Sequence, residues 1–233
     1  MIIFYIDKTE SEGSFMNNLN RKKITVALSI LLVLVAVFGT FTYMNKAKAS
    51  GYAIYNGITW EFNIVNGKAT DLYVTRNVKT NVITIPTEVT NEEDGVTYPV
   101  VSVGKTNVSN ESSLFFGSLE PNTTVSFAQK DGKTSITKIN AYAFCGCTNI
   151  QSVNIPDSVT EIGDYAFYNC ESLTTVNGVE NIETLGNYVF KDSKSLKYIT
   201  LDKTTTFGTG LFDGCNSLYL TITNPNMDLS DQN

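Results

Sequence analysis

The side chains available for chemistry here are cysteines, tyrosines, carboxylates and amides; none of the 233 residues is histidine. Without imidazole, no Ser-His or Cys-His nucleophile and no His-held metal can be built. No glycine-rich phosphate loop is present either. A glycoside hydrolase needs only two carboxylates, and Asp157, Glu161, Asp164 and Glu171 lie close in sequence. Turn and outer positions nevertheless collect charge on any soluble repeat. Cys145, Cys147, Cys170 and Cys215 invite a disulfide reading. Three of them, however, share one position of a repeating frame with Ser193, which reads as a slot for a small buried side chain. A Cys147–Cys170 bridge stays geometrically open at a rung spacing of about 4.8 Å, and Cys145-x-Cys147 without histidine is a poor zinc site. The expectation is reduced thiols, no catalytic residue, no metal and no cofactor.

Two rows of side chains are better suited to recognition. Tyr142, Tyr165 and Tyr188 recur at one frame position and form an aromatic ladder, able to receive sugar rings or apolar side chains, or simply to pack on itself. The second row is Ser152, Asn154, Thr175, Asn177, Tyr198, Thr200, Tyr219 and Thr221. These are neutral hydrogen-bonding groups with two tyrosines as anchors. Asn154, Asn177, Tyr198, Thr200 and Tyr219 are the candidate ligand-facing residues; the rival reading is an ordinary solvated sheet face.

Both rows depend on a repeat. Phe144, Phe167, Phe190 and Phe212 recur every 23, 23 and 22 residues. Five residues before them stand Ile139, Ile162, Leu185 and Phe207, and three before those stand Ile136, Val159, Ile182 and Thr204. Such a period marks a stacked repeat architecture. After each Cys/Ser comes an apolar-x-x-apolar-x-apolar run: Ile150, Val153, Ile155, then Leu196, Ile199, Leu201. This is the strand core of a leucine-rich repeat. The second copy puts Gly178 at the last position, and the fourth slips by one residue to Leu218, Leu220 and Ile222. The expected fold is a β-rich solenoid of about 23-residue repeats, with short strands stacked in parallel, short helical turns and an N-terminal β-hairpin cap.

The run Val153-Asn-Ile155-Pro156-Asp-Ser-Val159-Thr-Glu-Ile162-Gly163-Asp-Tyr-Ala166-Phe167-Tyr-Asn-Cys170 resembles the BspA-type bacterial leucine-rich repeat. Ile-Pro, Ile-Gly, Ala-Phe and Cys fall at that family's offsets, and the likeness extends over about Ile83 to Ile222, with a loose insertion. The resemblance implies a secreted or surface-displayed solenoid, of a kind that takes part in adhesion or host contact, and no catalytic residues.

Residues 1–49 read as an extension followed by an export segment. From Met16, basic Arg21-Lys22-Lys23 precede an apolar run over 24–43 and Ala47-Lys48-Ala49, the grammar of a signal peptide cleaved before Ser50. A transmembrane helix left as an uncleaved anchor is the alternative, with the rest of the chain outside. Residues 50–80 form the hairpin cap: Ile58, Trp60, Phe62 and Ile64 alternate with polar neighbours around Asn66-Gly67. Trp60 reads as a core plug rather than a sugar-stacking platform. The repeat domain spans 81–224, with loops over Asn91–Tyr98, a rung strand at Val125 and Phe127, Leu114–Phe116 tucked beneath it, and a turn at Asp131-Gly132. Residues 225–233 are a tail. Removing six basic and three acidic residues of 1–49 leaves eleven and twenty, a net charge of −9. An acidic body without a basic stripe disfavours nucleic acid and anionic lipid. The expected partner is a protein or glycan met by an extracellular or cell-surface monomer, with membrane contact only through the N-terminal segment.

Overall fold

A computed structural model describes residues 49–74, 80–105, 119–203 and 206–226, and Ser50–Asn233 forms one compact unit. The chain opens on β1 (Ala49–Tyr55), β2 (Ile58–Val65) and β3 (Lys68–Val74). β2 and β3 pair antiparallel around Asn66 and Gly67, whose φ angles of 51° and 71° are those a tight hairpin turn requires. Alternation sends Ile58, Trp60 and Phe62 inward, and Trp60 is fully buried. It is packing, and no platform for a sugar.

β4 (Val82–Ile85) begins the first rung. The loop expected at Asn91–Tyr98 is largely a small hairpin, because β5 (Glu88–Thr90) and β6 (Thr97–Pro99) pair antiparallel on either side of it. Short and longer strands then alternate: β7 (Ser102–Val103), β8 (Thr123–Phe127), β9 (Lys138–Ile139), β10 (Ile150–Asn154), β11 (Glu161–Ile162) and β12 (Thr175–Asn177). β13 (Thr184–Leu185), β14 (Tyr198–Leu201), β15 (Thr206–Phe207) and β16 (Tyr219–Ile222) complete the series.

Each rung therefore contributes to two sheets, where the sequence pattern indicates one strand. The longer strands form one sheet in the order β16-β14-β12-β10-β8-β4, and β8 is the rung strand expected at Val125 and Phe127. The two-residue strands at the Ile-x-x-Ile-Gly half continue the cap sheet in the order β1-β2-β3-β7-β9-β11-β13-β15. Register is parallel and direct: Ile162 faces Ile139 and Leu185, and Leu185 faces Phe207. Between the sheets the repeat phenylalanines stack, with centroids 5.0, 5.4 and 5.7 Å apart from Phe144 through Phe212. Among the described residues the only helical element is a 3-10 turn, Val179–Asn181. Gly178 caps it at φ 88°, and an added Cβ there would stand 2.1 Å from the Ile155 carbonyl oxygen. Glycine is thus forced at that position, and Val179 takes over the vacated inward place.

The Cys/Ser position has a function that its size alone does not convey. Cys170 Sγ donates to the Phe144 carbonyl at 3.1 Å, Ser193 Oγ to Phe167 at 2.8 Å and Cys215 Sγ to Phe190 at 3.0 Å. Ser193 Oγ also accepts from the Cys170 backbone N–H at 3.3 Å. Each side chain pins itself to the backbone of the preceding rung. Thiol and hydroxyl interchange because both supply a donor and an acceptor from a short stem. None of the four cysteines forms a disulfide, and burial raises the pKa of Cys145, Cys170 and Cys215 above the ordinary thiol value.

A buried polar cluster ties the cap to the rungs. Asp71, 3 % exposed, accepts from Asn63 Nδ2 at 2.8 Å and from Asn140 Nδ2 at 3.2 Å. Its backbone N–H donates to Ser102 Oγ at 3.0 Å, and Asn140 Nδ2 also reaches the Gly104 carbonyl at 2.6 Å. Asn140 stands where later copies carry Gly163, Gly186 and Gly208. That single departure from the repeat supplies the amide.

The expectation of a transmembrane helix is corrected. Among the described residues no helix is long and apolar enough to cross a membrane, since they form strands of two to eight residues where about 20 helical residues are needed. The described residues thus offer no spanning helix to carry the expected membrane contact. The run 24–43, the cleavage site before Ser50, Leu114–Phe116 and the tail beyond Asn226 lie outside the described residues.

Candidate ligand-facing surfaces

The outward side of the longer strands is divided into two columns by strand register. Ser152 faces Thr175, Thr175 faces Tyr198, and Tyr198 faces Tyr219. Asn154 faces Asn177 in the next column, and Thr200 faces Thr221 two residues along from the tyrosines. Period-two pleating explains the split: residues two apart on one strand share a face but occupy different columns. The five candidate residues are therefore two neighbouring groups and not a single line. Asn177 Nδ2 donates to Asn154 Oδ1 at 2.7 Å. Tyr198 and Tyr219 stack with centroids 5.7 Å apart while 64 % and 69 % exposed. Among the described residues β16 is the edge strand beside this tyrosine pair.

The bend tyrosines behave differently. Tyr142 and Tyr165 stack at 5.0 Å, and Tyr165 and Tyr188 follow at 5.1 Å. Tyr168 meets Tyr165 edge-on at 5.8 Å. All three ladder residues have φ between 55° and 59°, a conformation that costs a bulky side chain about 1–3 kcal/mol. Rung-to-rung hydrogen bonds hold them there: Tyr142, Tyr165 and Tyr188 N–H groups donate to Asp164, Asn187 and Thr209 carbonyls, each at 2.9 Å. The fourth copy places Gly210 in the same position, at φ 59°, and an added Cβ would lie 2.4 Å from the Tyr188 ring. Tyr188 thus covers Gly210 and ends the row. Each ring is half-buried, and burial raises the pKa of Tyr142 first, with Tyr165 and Asp164 adding to it. Self-packing accounts for this ladder.

The four clustered carboxylates are each engaged separately. Asp157 accepts from Asn181 Nδ2 at 3.0 Å, Glu161 pairs with Lys138, and Glu171 faces Lys194 at 3.4 Å. Asp164 accepts from the backbone and side-chain nitrogens of Asn187 at 2.7 and 3.3 Å. They stitch one rung to another and form no opposed acid–base pair. Among the described residues no group of three or more His, Cys, Asp or Glu side chains could hold a metal ion.

Stacked rungs, a buried phenylalanine column and a Cys/Ser staple define the architecture, and residues 122–232 match the family described as a BspA type leucine rich repeat region, in six copies. Over residues 122–232 the chain is a BspA-type leucine-rich repeat region. Among solved structures, this protein is similar to a T. pallidum leucine rich repeat protein. Identity is 24 %, 76 % of this chain and 69 % of that chain are covered, and the TM-score is 0.52; the likeness is one of fold. It is also similar to a leucine-rich repeat protein from Bacteroides capillosus, at 25 % identity over 74 % of this chain and 98 % of that one, with a TM-score of 0.45. No curated protein matches. The BspA-type fold is one typical of non-enzymatic protein-binding surface modules.

Proposed function

We propose that the protein is an exported, non-catalytic binding or adhesion module that meets a protein or glycan outside the cell through the outward face of β10, β12, β14 and β16. The observation that carries this reading is the exposed Tyr198–Tyr219 stack beside the hydrogen-bonded Asn154–Asn177 pair. Large aromatic side chains left in water on a rigid sheet are poor solvated-surface residues and good interface anchors. In stacked repeats, extended surfaces of this kind serve long ligands. The Tyr142–Tyr165–Tyr188 row is less suited, because its rings already cover one another.

The test is an array of glycans and extracellular-matrix proteins probed with the full chain and with the Tyr198→Ala/Tyr219→Ala double variant. Affinity for whatever the wild type retains should fall at least tenfold, about 1.4 kcal/mol or more. The urea midpoint should hold, since both side chains point away from the core. Unchanged affinity eliminates this face.

A further inference from the structure

After the first rung with its β5–β6 hairpin, the second rung carries an excursion that the next two lack. Ten residues, 128–137, connect β8 to β9, whereas six connect β10 to β11 and six connect β12 to β13. The extra length stands up as a hairpin. Lys130 and Lys133 exchange backbone hydrogen bonds at 2.7 and 3.0 Å around Asp131 and Gly132, at φ 53° and 71°. Between it and the turn of the next rung lies a groove of about 430 Å³, lined by Phe127, Gln129, Lys133, Asn154, Pro156 and Asp157 among others. That volume falls within the range of small-ligand sites, about 300–1,000 Å³.

The polar groups in this groove are held in place yet only partly used. Asn154 Oδ1 is occupied by Asn177, leaving its Nδ2 to donate. Asp157 Oδ1 is occupied by Asn181, which is held in turn by Lys203 Nζ at 2.8 Å, leaving Asp157 Oδ2 to accept. Lys133 enters none of the ion pairs of the described residues. A second cleft on the far side of the hairpin, of about 510 Å³, is also lined by Lys133, but its cation Lys130 is already bound to Glu88 at 3.0 Å. The first groove thus offers an ammonium, a carboxylate and two amides beside Phe127 and Pro156. Its one cation and one anion cancel, so a strongly charged ligand gains nothing there. It has no deep apolar pocket for a lipid chain.

We propose that this groove binds an uncharged saccharide. A sugar is the common ligand whose neighbouring hydroxyls donate and accept at once. Its hydroxyl protons go to Asp157 Oδ2, its oxygens take hydrogen bonds from Lys133, Asn154 and Gln129, and its C–H face lies on Phe127 and Pro156. The groove shares Asn154 with the strand face, so the proposal deepens the binding-module reading and rests on it.

The test uses the full chain on an array of uncharged oligosaccharides, then ¹⁵N NMR titration with a retained sugar. The side-chain amide signals of Asn154 and Gln129 should shift on titration. Affinity should fall at least tenfold in Lys133→Ala and in Asp157→Asn, with backbone spectra otherwise unchanged. Failure of the array to retain any uncharged sugar overturns the proposal, as does a titration insensitive to both variants. Shifts confined to Tyr198 and Tyr219 overturn it too, while leaving the strand face standing. Displacement of the sugar by a Glu-rich hexapeptide, bound through Lys133 alone, would replace the saccharide with an acidic peptide and equally overturn it.

Discussion

Replacing Ser193 separates two explanations of the repeating Cys/Ser position. If the site only needs a small side chain, Ser193→Ala should be nearly neutral. If the side chain staples adjacent rungs, alanine removes the donor to the Phe167 carbonyl at 2.8 Å and the acceptor for the Cys170 N–H at 3.3 Å. Phe167, Cys170 and Ser193 are all 0 % exposed, so water does not take over. Leaving a buried polar group bare costs about 1–3 kcal/mol, and two such groups give about 2–4 kcal/mol here, allowing for hydroxyl desolvation regained. With a urea slope of about 2 kcal/mol/M the midpoint drops by about 1–2 M. Ser193→Cys should remain within about 1 kcal/mol of wild type, because Cys170 and Cys215 make the same bond at 3.1 and 3.0 Å. The assay is urea unfolding followed by tyrosine and tryptophan fluorescence. Equal midpoints for the Ala and Cys variants would refute the staple and restore the small-slot reading.

Phe167→Ala should cost about 3–5 kcal/mol, because its ring is stacked between Phe144 and Phe190. Tyr165→Ala should cost less in urea midpoint, and Tyr165→Gly should recover part of that loss, since φ is 56° there; a worse glycine variant contradicts the strain assignment. Asn140→Gly restores the repeat residue and should still destabilise by about 1–3 kcal/mol, from loss of the bonds to Asp71 and Gly104; a neutral midpoint in urea would remove the cap-to-rung cluster from the account. Burial pushes Cys215 from 9.0 to about 11 and raises Cys170 as well. The unfolded chain therefore loses those protons first, and stability present below pH 9 is lost as pH rises toward about 11. Urea midpoints across that window should fall less in Cys170→Ser/Cys215→Ser than in wild type, and parallel curves would contradict it.

The legible part of the fold is the part that repeats. Phe144, Phe167 and Phe190 announced an inward column because identical residues at a fixed period must stack on themselves, and the alternation through Trp60 announced the cap hairpin. The two-residue strands were hidden: Glu161-Ile162 is too short for a period-two signal, and only its neighbours' identical register makes it a sheet. The column assignment on the strand face was hidden as well. Asn154 and Tyr198 both point outward, but which of them share a column depends on register, and a 21-residue step from Tyr198 to Tyr219 follows steps of 23. Residues 128–135 gave a turn at Asp131-Gly132. Nothing in the sequence sets Lys133 and Asp157 across one groove, because they belong to different rungs.

Departures from the repeat are where this chain differs from a bare stack, and most have an inward explanation. Asn140 replaces a glycine and reaches Asp71; Gly178 avoids the Ile155 carbonyl, and Gly210 makes room for Tyr188. Ser193 replaces cysteine and keeps its bonds. Tyr198, Tyr219 and the 128–135 hairpin have no such explanation. Tyr198 and Tyr219 stand where earlier copies carry Ser152 and Thr175, and neither ring supports the core. The hairpin packs its extra residues mostly against solvent, with Gln129, Lys130, Asp131, Gly132 and Lys133 all exposed. Folding free energy therefore does not account for these residues, and contact with a partner is what the proposed binding face offers in its place. The hairpin follows β8 and the tyrosines stand on β14 and β16, with the Asn154–Asn177 pair on the intervening β10 and β12. A ligand long enough to span several rungs would meet the groove at one end and the tyrosine stack at the other.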